Sequence, residues 1–367
     1  MNILRGSCPE RIGPYVLGDS IGMGTSCIVV KATNSETQKT YAIKIVSKRY
    51  FHNNQQVIHF QSEVQNMMSL CHPNIVTLYD LLEDSVNYYM IQEYCGNGDL
   101  SSYISKNQPL PLAQALQLFH QILSAVAFLH SNNIAHRDIK AENVLLDEML
   151  TPKLGDFGFS LHVRSNEIRR TICGTFYYIA PEILQGSPYN PILADIWSCG
   201  VLLHVFVTAQ LPWSCENPKL AKEEILKGQL SILPDVPKDV QEVILLMCDF
   251  NPQNRMPIDT VLALPLLKRV QSTKHVHKGF FRNKAAFTLN KYNDLLSSAP
   301  LPLDEKDHDE ITDMLKECNR KIKKKANQLQ SNAILTIISK GSSRIKVRSR
   351  ADSPFMGPLF VPGWEKM

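Results

Sequence analysis

The sequence has no apolar run of bilayer-spanning length. Its most apolar stretches, such as VLLHVFVTA at 201–209, fall well short of the ~20 residues that a helical span takes. Its beginning, MNILRGSCPERIGPY, contains nothing like the apolar core of a secretory leader. The nine cysteines, at 8, 27, 71, 95, 173, 199, 215, 248 and 318, are odd in number and scattered, and no two make a C-x-x-C pair. That argues against a disulfide framework and the usual zinc or redox sites, and points to reduced thiols in a cytoplasmic protein; access to the nucleus is a separate expectation. No segment repeats at solenoid periods. Neither sign of charge dominates, since the net value is only +4.

What is present is ample core material: 44% of the residues are hydrophobic and 20% charged, which is not the composition of a disordered chain. A length of 367 residues suits one large two-lobed unit with an extension, or two domains. The charge is unevenly placed. Residues 271–367 hold 18 Lys+Arg against 10 Asp+Glu, and the remainder 21 against 25. A basic tail on a mildly acidic body can meet nucleic acid, acidic lipid or the body itself, or can be a solvated charge run. No specific nucleic-acid partner and no membrane span are expected.

From Tyr15 to Glu93 short β-type runs (YVLGDSIG, CIVVKAT, TYAIKIV, IVTLYDLLE, YYMIQEY) are interrupted by one helical stretch, VIHFQSEVQNMMSL. Beyond the turn at CGNGD the period changes. Leu116, Phe119, Ile122, Leu123, Val126 and Leu129 form a helical stripe, and ADIWSCGVLLHVFVTA and DVQEVILLMCDF continue the helical character. Apolar periodicity fades near Arg269. The division expected is a lead at 1–14, a small lobe at 15–93, a larger helical lobe at 96–270 and a basic extension at 271–367, partly helical and partly disordered.

The chemistry begins at Gly22-x-Gly24, where missing side chains let backbone amides approach phosphate oxygens. Cys27 occupies the position of a third glycine, and a β-type run follows instead of a helix, so this is not a dinucleotide fingerprint. A plain glycine turn remains open. Lys44 ends the next β-type run and Glu63 lies in the helical stretch; a buried ammonium needs a carboxylate to hold and orient it. Then come His136-Arg137-Asp138, Lys140, Asn143, Asp156-Phe157-Gly158 and Ala180-Pro181-Glu182.

In order, spacing and residue type this set resembles the eukaryotic protein kinase family, over residues 15 to about 270. The resemblance implies an α+β bilobal fold and transfer of the γ-phosphate of ATP, where positioning and charge neutralisation matter most. It implies a nucleotide cleft lined by Ile21, Gly22, Met23, Gly24, Val29, Ala42 and Lys44. The hinge would be Glu93-Tyr94-Cys95, with Gln92 before it and Asp99 within reach of the ribose. Asn143 and Asp156 would hold Mg²⁺, with Mn²⁺ as the alternative ion. Asp138 would orient the attacking hydroxyl and take its proton late, and Lys140 would lie against the transferred phosphate. Lys140 and Thr175 are typical of serine/threonine enzymes in that family. Glu182 would pair with Arg255, and Asp195 would brace the catalytic loop.

Thr171 sits where such kinases carry a regulatory phosphate, and Arg137 is placed to hold it, which implies an upstream kinase or self-phosphorylation. The segment from Arg169 to Glu182 looks most like the calcium/calmodulin-dependent and AMP-activated-kinase-related branch. Glu142 and Asp99 imply substrates with basic residues upstream of the phosphosite, although Val205 replaces a second acidic residue. In the tail, Ile311, Leu315, Cys318, Ile322 and Leu329 can form one helix face overlapping RKIKKKA: a calmodulin or partner helix, an autoinhibitory one, or one that packs on the body. Ser353-Pro354 is a candidate phosphosite. The rival reading is a nucleotide-binding scaffold without catalysis; such proteins usually lose one of Lys44, Glu63, Asp138, Asn143 and Asp156, all present here.

Overall fold

The structure is a computed structural model and describes residues 9–24, 27–51, 54–107, 110–164, 168–171, 173–215 and 217–269. The tail readings, from the helix face at 311–329 to Ser353, lie outside the described residues.

The first lobe is one antiparallel sheet in the order β1-β2-β3-β4-β6-β5. Its strands are β1 (Arg11–Ile12), β2 (Tyr15–Met23), β3 (Cys27–Asn34), β4 (Thr40–Ser47), β5 (Leu78–Glu83) and β6 (Asn87–Glu93). The expected β-type runs all form strands, and the sheet begins earlier, with β1 inside the lead 1–14. Helix α1 (Asn54–Ser69) lies between β4 and β5 in sequence and packs on β5. β4 has strands on both sides and is buried from Ala42 to Val46, as a β-branched run in mid-sheet should be. Cross-strand register places Gly22 opposite Val29, Val29 opposite Lys44 and Lys44 opposite Met90. Opposed residues share a face, and Ala42 is two residues from Lys44, so Gly22, Val29, Ala42 and Lys44 lie on one side of the sheet.

The second lobe is mostly helical. α2 (Leu100–Asn107) and α3 (Leu112–Ser131) precede a run of short hairpins, β7 (Ile134–Ala135), β8 (Val144–Leu146), β9 (Pro152–Leu154) and β10 (Leu161–His162). Then follow α4 (Pro181–Leu184), α5 (Pro191–Thr208), α6 (Pro218–Leu226), α7 (Lys238–Met247), α8 (Ile258–Leu262) and α9 (Pro265–Lys268). The stripe expected from Leu116 to Leu129 is buried at every position. α5 begins with Asn190 capping the amide of Ile192 and Pro191 in the first turn. It crosses α7 so closely that a Cβ on Gly200 would stand 2.5 Å from Cys248 Sγ and 2.9 Å from Met247 Cβ.

One sequence argument is corrected. VLLHVFVTA is part of α5, and both α5 and α3 are long and apolar enough, by length and composition, to cross a bilayer. Packing accounts for them instead: Trp197, Cys199, Leu202, Leu203 and Phe206 of α5 and the stripe of α3 make the centre of the larger core. Shortness of the apolar run was therefore the wrong reason. No disulfide joins any of the seven cysteines among the described residues.

Candidate active site

The sheet presents Lys44 to the second lobe with its side chain nearly buried. Nζ is 2.8 Å from Glu63 Oε1 on α1 and 3.3 Å from Asp156 Oδ1, which follows β9. Burial alone would lower the Lys44 pKa, but the Glu63 and Asp156 carboxylates outweigh it and hold the ammonium well above its usual range. Glu63 is 1% exposed, whereas the side chain of Asp156 keeps 26% of its surface. Asp156 has a positive φ of 51°, uncommon for a residue with a side chain; the turn aims its carboxylate back at Lys44.

Opposite stands Asp138, only 4% exposed and held from three directions. Asn143 Nδ2 donates to its Oδ2 and to its backbone oxygen, both at 2.8 Å. The Thr175 amide and hydroxyl both donate to Oδ1 at 2.9 Å. Lys140 Nζ is 2.8 Å from Oδ2 and donates to Thr175 Oγ1 at 2.6 Å. Lys140, Thr175, Asn143 and Asp138 are thus one hydrogen-bonded unit.

A scaffold fixes this unit. The Asp195 carboxylate, 1% exposed on α5, accepts the amides of His136 and Arg137 at 2.8 Å each and contacts His130 Nε2 at 3.0 Å. The His136 ring meets the Gly155 carbonyl at 3.0 Å and packs edge-on against buried Phe157. Gly174 lies so close that a Cβ there would stand 2.8 Å from the Arg137 carbonyl, and its φ of 98° suits glycine alone. Arg255 and Glu182 form the expected pair.

Behind the hinge the Glu93 carboxylate faces away from the cleft: Oε1 is 2.6 Å from Lys153 Nζ on β9, and Oε2 accepts the Thr77 amide at 3.1 Å. Only the backbone of Glu93 is left to face a base. Gln92 directs its amide at the sulfurs of Met67 and Met90. Burial, with Glu93 adding, pushes the Cys95 thiol up to about 12, so it stays protonated. Asp99 accepts the Ser102 amide and hydroxyl at 2.8 Å each, capping α2, which engages both of its oxygens. Ile21 and Met23 of β2 are exposed at the cleft mouth, and the Gly24 amide closes the β2–β3 turn onto the Cys27 carbonyl.

Thr171 is exposed, and Arg137, at a φ of 66°, donates from Nε to the Phe159 carbonyl at 2.6 Å. Glu142 is exposed at the rim and Val205 is buried in α5. Sequence reasoning missed His59, one helical turn before Glu63 on α1. Burial first, then the positive charge of Arg137, lower its pKa. The i, i+4 spacing to Glu63 was the available signal.

The donor set suits a hard divalent cation. Asn143 spends its amino group on Asp138, which leaves Oδ1 as the atom to offer a lone pair, and Asp156 supplies a partly exposed carboxylate nearby.

The protein kinase domain family matches residues 15–267, and the chain belongs to that family. It is 35% identical over 277 residues to a probable serine/threonine-protein kinase, KCC4, of Saccharomyces cerevisiae, covering 72% of this chain and 27% of that protein. With the serine/threonine-protein kinase GIN4 of the same yeast it shares 32% identity over 283 residues, 72% of this chain and 25% of the relative. Sucrose non-fermenting protein kinase 1 of Fusarium virguliforme is 32% identical over 313 residues, 83% of this chain and 44% of that protein. The chain therefore spans from a quarter to less than half the length of these relatives.

Proposed function

We propose that the chain is a protein serine/threonine kinase that transfers the γ-phosphate of Mg-ATP to Ser or Thr hydroxyls of protein substrates, in the AMP-activated-kinase-related branch. The observation that carries this is the closed unit of Asp138, Lys140, Asn143 and Thr175 opposite the Lys44–Glu63 pair. Asp138 receives the substrate hydroxyl and takes its proton as the new P–O bond forms; the Thr175 and Asn143 hydrogen bonds hold its carboxylate at the angle this needs. Lys140 neutralises charge on the transferred group, and Lys44, oriented by Glu63, grips the other phosphates. Asn143 and Asp156 hold Mg²⁺ or Mn²⁺, whose charge offsets that of the triphosphate. The hinge backbone at Glu93 and Cys95 reads the adenine, with Ile21, Gly22, Met23, Gly24, Val29 and Ala42 above it and Asp99 at the ribose.

In this reading phosphorylation of Thr171, by an upstream kinase or a second copy, is the switch, and Arg137 receives the phosphate. Exposed Glu142 favours substrates with basic residues before the acceptor. The kinase domain runs from 15 to 270, with lobes at 15–93 and 96–270, in a cytoplasmic protein with nuclear access. The extension 271–367 serves regulation or docking. A peptide-library assay with Mg-ATP, run on wild type and Asp156→Ala, tests catalysis: signal from wild type alone supports it, and equal signals refute it. Thr171→Ala in protein purified from its own cell tests the switch, which is refuted by unchanged activity.

A further inference from the structure

Tyr189 precedes α5 by two residues and is 3% exposed, too deeply buried for a surface tyrosine. Its backbone pairs with Arg169 in both directions, each amide donating to the other's carbonyl at 2.9 Å. Its hydroxyl donates to the Thr171 carbonyl at 2.8 Å and has Cys173 Sγ at 4.0 Å, and Tyr189 lines one small cavity together with Arg137, Asp138 and Cys173. One phenol therefore stands between the residue before Asp138 and the backbone of Thr171.

We propose that Tyr189 is a positioning residue that carries the state of Thr171 to the catalytic loop. The proposal rests on the reading of Thr171 as the switch. Holding the Thr171 carbonyl fixes where its side chain can stand, and Arg137 lines the same small cavity as the phenol. A phosphate on Thr171 then forms near its cation instead of having to recruit it, so less ordering entropy opposes the pairing. Arg137 passes the constraint on directly: its amide is fixed by Asp195, its Nε by the Phe159 carbonyl, and Asp138 is the next residue. Burial, with Cys173 adding to it, pushes the phenol up to about 12 against the pull of Arg137, so Tyr189 remains a neutral donor throughout the working range.

The test uses the full chain with either phosphothreonine or threonine at 171, as wild type, Tyr189→Phe, Arg137→Gln and the double variant. Steady-state kinetics on a basic peptide and thermal melts are recorded for each. The expected result is that Tyr189→Phe lowers the ratio of phosphorylated to unphosphorylated kcat by about five- to tenfold, the worth of one buried hydrogen bond. The KM for ATP should not move, and in the Arg137→Gln background the tyrosine change should have no further effect. An undiminished ratio in Tyr189→Phe, or full additivity with Arg137→Gln, overturns the proposal. So does a Tyr189→Phe variant that fails to fold, since the hydroxyl would then be structural. A wild type that does not respond to phosphothreonine removes the Thr171 reading itself and this proposal with it.

Discussion

Arg255 and Glu182 meet fork to fork: Nη1 donates to Oε1 and Nη2 to Oε2, both at 2.7 Å, with the guanidinium carbon 5.1 Å from the centre of the Trp197 ring. Nε and Nη1 also donate to the carbonyls of Asp249 and Leu193 at 2.9 Å. A lysine has neither the fork nor the planar face to replace these contacts. Arg255→Lys is expected to destabilise the second lobe by about 2–4 kcal/mol, and Arg255→Ala, which removes the cation from a buried carboxylate, by about 3–5 kcal/mol. Chemical denaturation of purified protein measures both; a loss in either below about 0.5 kcal/mol would make the pair ornamental.

Lys44 stands between two carboxylates that keep it charged, so its titration should not shape activity anywhere between roughly pH 6 and 9. Because its pKa is raised on folding, the stability it contributes is complete below the unfolded value near 10.5 and fades only as pH rises above that. Lys44→Met should lower kcat by about 10²–10³-fold. Glu63→Gln should raise the KM for ATP with a smaller loss of kcat, because it loosens the ammonium without removing it. A kcat/KM profile against pH for the three proteins measures this.

Two groups outside the site pull stability in opposite directions with pH. Burial raises Asp80 to about 6 from 3.8, so between those values the folded state holds the extra proton and stability falls as pH rises. Burial, then Lys153, lowers His72 to about 4 from 6.5, so between 4 and 6.5 the unfolded state holds the proton and stability rises with pH. The two slopes largely offset each other. Asp80→Asn retains an acceptor for the Leu81 amide, which Asp80 Oδ1 accepts at 2.8 Å, and should unmask the histidine slope. Urea denaturation at pH 4.5, 5.5 and 6.5 should show stability climbing more steeply with pH in the variant than in wild type.

Residues whose roles follow from chain spacing were legible in the sequence. Asp138, Lys140 and Asn143 fall within one loop, and Asp156 follows two short strands later, so their order alone brings them together. The strands, and the helical stripe from Leu116 to Leu129, were legible because burial on one face imposes a period. Contacts between elements distant in the chain were not. Nothing local marks Lys153 as the partner of Glu93, since the pair exists only because β9 folds back behind the hinge. The capping of α2 by Asp99 was equally hidden behind its expected role at the ribose. Tyr189 comes to matter through the Thr171 carbonyl, which its hydroxyl meets although the two lie 18 residues apart in the chain. The span argument failed because a nine-residue, mostly apolar stretch says little about the helix that contains it.

The central claim is that Asp138, held by Asn143, Lys140 and Thr175, supports phosphoryl transfer to aliphatic hydroxyls. Its most direct test is transfer of γ-labelled phosphate from Mg-ATP to peptides with Ser, Thr or Tyr acceptors, by wild type and by Asp138→Asn, followed by identification of the labelled amino acid. The account predicts label on serine and threonine with wild type and a loss of at least about 10²-fold in the variant. Label on tyrosine alone, or equal incorporation by the two proteins, would contradict it.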